Sequence, residues 1–285
     1  MAPRPHDRGR RPSRVPEPRV FDRERERPGA PGGGQVWLFG RHPVVAALAN
    51  PQRRVFRVLA TAEAAQRLQE DLAKLDLKGH AVPQPEIVPR ERVSAHLPAG
   101  AVHQGLLAAV GALPEPTLDD ILARGGEKAV VVALDQVTDP HNVGAILRSA
   151  EAFGASGVLV TERNAPDETG TLAKAASGAL ERVPLMRATN LARTLRELKE
   201  AGFWVIGLDE RGNQSLAAAK HDGRIVLVMG AEGEGLRRLT LEHCDLLARL
   251  PMRGSMPSLN VSNATAVALY ELVRDRQDGL TLDFF

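Results

Sequence analysis

The sequence predicts an α/β protein of two units, and two patterns carry that prediction. From Ala129 onward, five short apolar runs alternate with longer capped or amphipathic stretches: AVVVAL (129–134), GVLV (157–160), FWVIGL (203–208), IVLVMG (225–230) and LLARL (246–250). Uninterrupted, largely β-branched runs of this length suit parallel strands covered on both faces. Ahead of them, residues 35–111 show a tighter alternation of helix-like and strand-like segments, enough for a second, smaller α/β unit.

In chain order, GRHPVVAALAN (40–50) reads as a turn and a short helix with Pro43 in its first turn, followed by the strand VFRVLAT (55–61). AEAAQRLQEDLAKL (62–75) is an amphipathic helix, HAVPQPEIV (80–88) a weaker extended segment, RERVSAHL (90–97) a short helix, and HQGLLAAV (103–110) a strand. Residues 112–127, polar and proline-containing, read as a linker. Beyond it, helices are expected at 140–153, 172–179, 190–202, 239–244 and 261–275. Asp139 before Pro140 is a helix start, and Gly154 a helix stop. A parallel sheet places its ligand at the C-terminal ends of its strands, so the loops there are the ones to read for chemistry.

Composition narrows the function. The 285 residues are 43% hydrophobic, enough for packed cores, yet no run reaches the apolar length of a membrane span and the N-terminus lacks a signal-peptide core. A soluble, cytoplasmic protein is expected, without a membrane partner. One cysteine, Cys244, excludes an internal disulfide and any zinc site built on cysteines, and no metal is expected. Residues 1–34 hold nine arginines and five acids, so the arm carries +4 of a chain whose total is +2. Rich in Arg, Pro and Gly, the arm has too little apolar surface to order itself. It reads either as a polyelectrolyte tail for RNA or as a passive leader.

Three loops carry the candidate chemistry. In LDQVTDPHNVGAILRSAEAFG (134–154), Val143, Ile146, Leu147, Ala150 and Phe153 form a buried helical stripe, and Arg148 stands off it. From this loop alone Arg148 could be a solvated surface arginine and Asn142 a plain first-turn residue. LVMGAEGEGL (227–236) follows a buried strand, but its glycines fit neither a dinucleotide fingerprint nor a P-loop. Glu232 and Glu234 would repel a polyphosphate and suit a ligand with positive charge and ribose hydroxyls, while the glycines let the backbone close on a flat ring. LPMRGSMPSLNVSN (250–263) has the composition of a loop that presents backbone and hydroxyl groups.

Together, NVGAILR (142–148), GAEGEGL (230–236) and PMRGSMPSLNVS (251–262) resemble the three motifs of the SpoU, or TrmH-like, branch of the SPOUT methyltransferases. The resemblance extends to GRHPVVAAL, AVHQGLLAAV, KAASGALERVPLMRATNLARTL and GLRRLTLEHCDLL, and so covers residues 36–275; Asn263 departs from it, standing where an apolar residue is common. It implies a knotted SPOUT domain over 128–285 with a deep trefoil knot. Ahead of it the resemblance implies an RNA-binding domain like ribosomal protein L30e over 35–111, and a homodimer that completes each active site. The implied activity is transfer of a methyl group from S-adenosyl-L-methionine to the ribose 2′-oxygen of a guanosine in the peptidyl-transferase loop of 23S rRNA, free or in an assembling large subunit. Matching the motifs residue by residue puts Asn142, Arg148, Glu232, Ser258 and Asn260 in the catalytic site and Gly230, Leu250 and Leu259 on the cofactor. A guanidinium keeps its proton in neutral water, so Arg148 is read as a hydrogen-bond donor to the reacting oxygen rather than as a base. Arg41, Arg53, Arg54 and Arg57 are candidate phosphate contacts, each alternatively a solvated arginine, and His103 reads as a packing residue. Two other readings remain: a tRNA 2′-O-methyltransferase of the same superfamily, and a ribosome-assembly factor that binds RNA without catalysis.

Overall fold

The computed structural model describes residues 35–75, 77, 81–219, 221–231, 233–256 and 258–276, and in it the chain forms two sheets, each with its own helices. The arm, residues 1–34, and Glu232 lie outside the described residues. The smaller unit runs β1 (Val36–Phe39), α1 (Arg41–Ala49), β2 (Val55–Ala60), α2 (Ala62–Leu72), β3 (Glu86–Ile87), α3 (Arg90–Ser94) and β4 (Leu106–Val110). Its sheet has the order β1-β4-β2-β3, and the wholly buried β4 pairs antiparallel with both β1 and β2. Thr61 caps α2 by accepting from the Ala64 amide, which satisfies one of the orphan donors of a helix start. The expected extended segment 80–88 shrinks to the two residues of β3, because Pro83 and Pro85 cannot donate to a ladder. Strand β1, the apolar run VWLF, is an addition to the expected elements; the register Val36↔Val110 to Phe39↔Leu107 sets it in the sheet.

Within the stretch 112–127, α4 (Leu118–Arg124) is closed by a capping box between Thr117 and Asp120. Its Ile121 is fully buried and lies where a Cβ on Gly157 would be, which explains a glycine at that strand start.

The larger unit continues with β5 (Val130–Asp135), α5 (Pro140–Ala152), β6 (Gly157–Thr161), α6 (Gly170–Ala176), β7 (Leu185–Ala188), α7 (Leu191–Glu200), β8 (Trp204–Leu208), β9 (Gln214–Ser215), β10 (Ile225–Gly230), α8 (Arg238–His243), β11 (Leu246–Arg249) and α9 (Val261–Val273). All seven strands are parallel, in the order β7-β6-β5-β10-β8-β11-β9. The five predicted strands are present; β7 and β9 are additions whose mixed sequences, LMRA and QS, carry no apolar run. The chain builds outward from β5 through β6 to β7 and then returns to the other side of β5. The strand order therefore reverses beside β10, and the crevice beyond the strand ends opens there.

One apolar cluster lies under α5, α6 and α9 and runs unbroken into the smaller unit through Leu38, Val44 and Leu48. The other, around Leu191, Leu195, Phe203 and Val226, covers the opposite face of the large sheet. Each fully buried leucine contributes about 1.5–3 kcal/mol relative to leaving it in water.

The seam between the units is crossed by two cations. Arg53 is buried, and its guanidinium donates to Glu181 (Nη2–Oε1 2.6 Å, Nε–Oε1 3.0 Å), to Glu168 and to the Gly111 carbonyl (2.7 Å). Burial pulls its pKa down, but the two carboxylates outweigh that and leave it raised. The expectation that Arg53 contacts phosphate is therefore corrected: its donors are taken up inside the protein, and only Arg54 and the partly exposed Arg41 and Arg57 remain on the surface. The other cation, Lys174 of α6, reaches back to the side chain of Gln104 (3.0 Å).

Candidate functional site

At the C-terminal ends of β8, β10 and β11 lies a cavity of about 650 Å³. Gly230 ends β10 at its floor, Leu250 follows β11, and Ser258, Leu259 and Asn260 come from the loop before α9. Five predicted residues, separated by up to 30 positions, thus converge on one wall because the parallel strands all end on the same edge. The volume is within the range of about 300–1,000 Å³ that small-molecule sites occupy.

The loop after β10 is built by glycine. The backbone doubles back so that Ala231 bridges Gly235, and a Cβ on Gly230 would collide with the Gly235 carbonyl carbon and the Leu236 nitrogen. Gly233 (φ 83°) and Gly235 (φ 68°) take left-handed conformations that a side chain would strain. Asp209, just past β8, braces this loop. Only 8% exposed, it holds Arg211 through two bonds (2.6 and 2.7 Å) and accepts from the Leu236 amide, and the Arg211 bonds first of all keep its carboxyl below the usual range. Asp135, at the end of β5 and fully buried, does the same from the other side by accepting from the Arg237 amide (2.9 Å) and its guanidinium (2.6 Å). Sequence reading missed both aspartates. The available signal was an acid directly after a buried apolar strand, LD in each case.

Helix α5 starts as predicted, with the Asp139 side chain accepting from the His141 amide and Pro140 in the first turn. Gly144 lets α5 press on α6: a Cβ there would stand 2.5 Å from Ala175 Cβ and 2.7 Å from the Leu172 carbonyl oxygen. The packing fixes where the helix presents Asn142. Asn260 Nδ2 donates to Asn142 Oδ1 at 3.0 Å, while Asn260 Oδ1 caps α9 by accepting from the Ser262 amide and hydroxyl (2.9 and 2.6 Å). One side chain therefore ties the first motif to the third and begins a helix.

Arg148 sits elsewhere. It lies six residues beyond Asn142, so about 9 Å further along α5 and turned roughly 120° from it, and it is exposed and outside the cavity lining. Its guanidinium has no hydrogen-bond or ionic partner among the described residues. Where α5 ends, Phe153 at its C-cap meets Tyr270 of α9 with ring centroids 6.1 Å apart, and Val267 and Tyr270 are half exposed. His103 is buried and bonded to Ser94 and to the Gly105 amide, the packing role expected of it. No group of three or more metal-ligating side chains is gathered among the described residues, and no helix there is long and apolar enough to cross a membrane.

An all-parallel sheet whose strand-end crevice is walled by a doubled-back glycine loop and a Ser-Leu-Asn loop defines a class. Residues 129–270 match the model of the SpoU rRNA methylase family, and residues 37–116 match that of the RNA 2′-O ribose methyltransferase substrate-binding domain. The chain belongs to the SpoU family of RNA methyltransferases. Among curated relatives, it is 42% identical over 84% of its length to the 23S rRNA (guanosine-2′-O-)-methyltransferase RlmB of Vibrio vulnificus, of which it covers 97%. Against the RlmB of Pseudomonas aeruginosa it is 43% identical over 84% of the chain and 96% of the relative. Among solved structures, the SpoU methyltransferase AviRb of Streptomyces viridochromogenes in complex with AdoMet superposes with a TM-score of 0.71 at 26% identity, covering 86% of this chain and 92% of that one.

Proposed function

We propose that this protein uses S-adenosyl-L-methionine to methylate the ribose 2′-hydroxyl of a guanosine in 23S rRNA, the guanosine of the peptidyl-transferase loop. The observation that carries the reading is the Asn260–Asn142 bond at the lip of the cavity, because it joins two of the three family motifs into one site. The identity to relatives of that printed activity over nearly their full length supports the substrate.

The residues fit the cofactor. Leu208, Leu250, Leu259 and Val261 offer apolar walls for a flat ring, and the glycine loop offers backbone groups with no Cβ in the way. When bound, the sulfonium supplies an electrophilic methyl group. Asn142 and Asn260 orient the reacting groups through amides held rigid by their mutual bond and by the α9 cap. Ser258 is an exposed hydroxyl on the same wall, and Glu232 has the role of holding the loop or the ribose. Arg148 donates to the 2′-oxygen as negative charge develops on it, an electrostatic contribution worth about 2.7–4 kcal/mol for one well-placed donor.

Since Arg148 stands outside the cavity of its own chain, the reading includes a homodimer that completes each site, and the half-exposed Val267 and Tyr270 of α9, which packs on α5, are consistent with pairing there. In this reading residues 35–111 bind the RNA, 112–127 link, 128–285 form the knotted methyltransferase domain, and the protein works in the cytoplasm. The test is a map of 2′-O-methylation in rRNA and tRNA from cells lacking the protein, complemented with wild type or Arg148→Ala. Loss of one 23S guanosine methyl group, restored only by wild type, is expected. Loss at a tRNA position instead, or no loss in any RNA, would overturn the assignment in favour of a tRNA enzyme or an assembly factor.

A further inference from the structure

The seam between the two units holds a cation that the fold positions and does not neutralise. Lys174 leaves α6 of the methyltransferase unit and crosses to the smaller unit, where its Nζ lies 3.0 Å from Gln104 Oε1. The same oxygen accepts from the Arg41 amide at 3.1 Å. Gln104 reaches both donors from a left-handed backbone conformation (φ 55°), one of only three non-glycine residues so placed among the described ones. Such outliers persist where the surroundings hold them and concentrate at functional positions. Gly40 completes the arrangement, since a Cβ there would overlap the ammonium of Lys174.

Among the described residues, no carboxylate lies within ion-pairing distance of this ammonium. Lys174 and Arg90 both act on His103. Arg90 of α3 is exposed, and its side chain makes no hydrogen bond or ion pair among the described residues. Arg41 is held by Asp71 (2.5 Å), with Glu70 also acting on it, and His103 is buried, with Arg90 and Lys174 both depressing its pKa after burial itself. Partial burial also lowers the pKa of Lys174, as expected of an ammonium withdrawn from water with no anion to offset the loss. A lysine fixed by an amide oxygen, on the boundary between two units that must act on one polymer, is arranged to receive an anion.

We propose that Lys174 forms a phosphodiester-binding site through which the RNA backbone crosses the seam on its way from the smaller unit to the methyltransferase cavity. The proposal rests on the RNA-methylation reading and adds the place where the polymer is gripped. A contact to phosphate carries no sequence information, so it acts on affinity and register rather than on the choice of base.

The test is equilibrium binding of the full-length protein to a 23S rRNA fragment carrying the target loop, followed by fluorescence anisotropy over a series of salt concentrations. Lys174→Gln should weaken binding about 5- to 10-fold at low salt and reduce the slope of log affinity against log salt by about 0.7–1, the release of one counterion. Lys174→Arg should keep the slope. Gln104→Glu, which places a carboxylate on the ammonium without removing it, should lower the slope as Lys174→Gln does. S-adenosylmethionine affinity should be unchanged in all three, which separates the effect from misfolding. A wild-type slope in Lys174→Gln or in Gln104→Glu overturns the site. A wild type that binds the fragment without methylating it overturns the methylation reading, while the slopes still decide Lys174; a wild type that binds no RNA overturns both.

Discussion

Arg53 and Lys174 cross the same seam in opposite directions and meet opposite fates. Arg53 goes from the smaller unit into a pocket of two glutamates and a carbonyl, and its side chain is wholly withdrawn from solvent. Lys174 goes the other way and finds an amide oxygen, with no carboxylate among the described residues. The first arrangement is closed: every strong donor has its acceptor, and the bond holds two units in one orientation. The second is open, because a partly buried cation held only by an amide oxygen is offset fully when an anion from outside arrives. Burial and the sign of the neighbours, rather than the presence of a basic residue, separate a structural cation from a binding one. Arg148 belongs with Lys174 by this criterion, being exposed and without a carboxylate partner among the described residues.

Stability measurements can break that comparison. Arg53→Met leaves Glu181 and Glu168 facing each other at a buried seam and should cost about 3–5 kcal/mol in urea unfolding; a loss below about 1 kcal/mol would remove the distinction. Asn260→Ala deletes a helix cap and the bond to Asn142, so about 1 kcal/mol of stability should go together with most of the methyl transfer, read in a single-turnover assay. Arg148→Ala and Lys174→Gln should each leave stability within about 0.5 kcal/mol of wild type, with Arg148→Ala lowering turnover by about 10²–10³-fold. Between these extremes stands Asp209. Its folded pKa is depressed by Arg211, so its contribution is present above the ordinary carboxylate pKa and is lost as pH falls through the folded value. Urea midpoints measured from pH 6 down to pH 3 should therefore drop more steeply for wild type than for Asp209→Asn. The smallest expected signal is at Cys244, where burial pushes the thiol up to about 12. Iodoacetamide at pH 8 should leave the native protein nearly unmodified and label it on unfolding.

How far the site could be read in advance depended on what each residue answers to. Asp139, Pro140 and Gly154 announce α5 because caps are local, and β5, β6, β8 and β10 announce themselves because burial leaves little room for alternation. The strands β7 and β9 carry no such sign; they exist by pairing with neighbours far along the chain. Arg53 read as a surface arginine because nothing adjacent to it is acidic, and its partners lie 115 and 128 residues away. Asp135, Asp209 and Lys174 were passed over for a similar reason: each is one ordinary charged residue until the fold sets another group against it.

Periodicity, capping and glycine placement act over a few residues, so the α/β class, the places of the buried strands and most helices, and the three motif loops are legible along the chain. Which loops share a cavity, that Asn260 meets Asn142 across 118 positions, and which cations are neutralised follow from the folded arrangement alone. Electrostatic environment is a property of distances in space, and a chain fixes those only when its strands have chosen their neighbours.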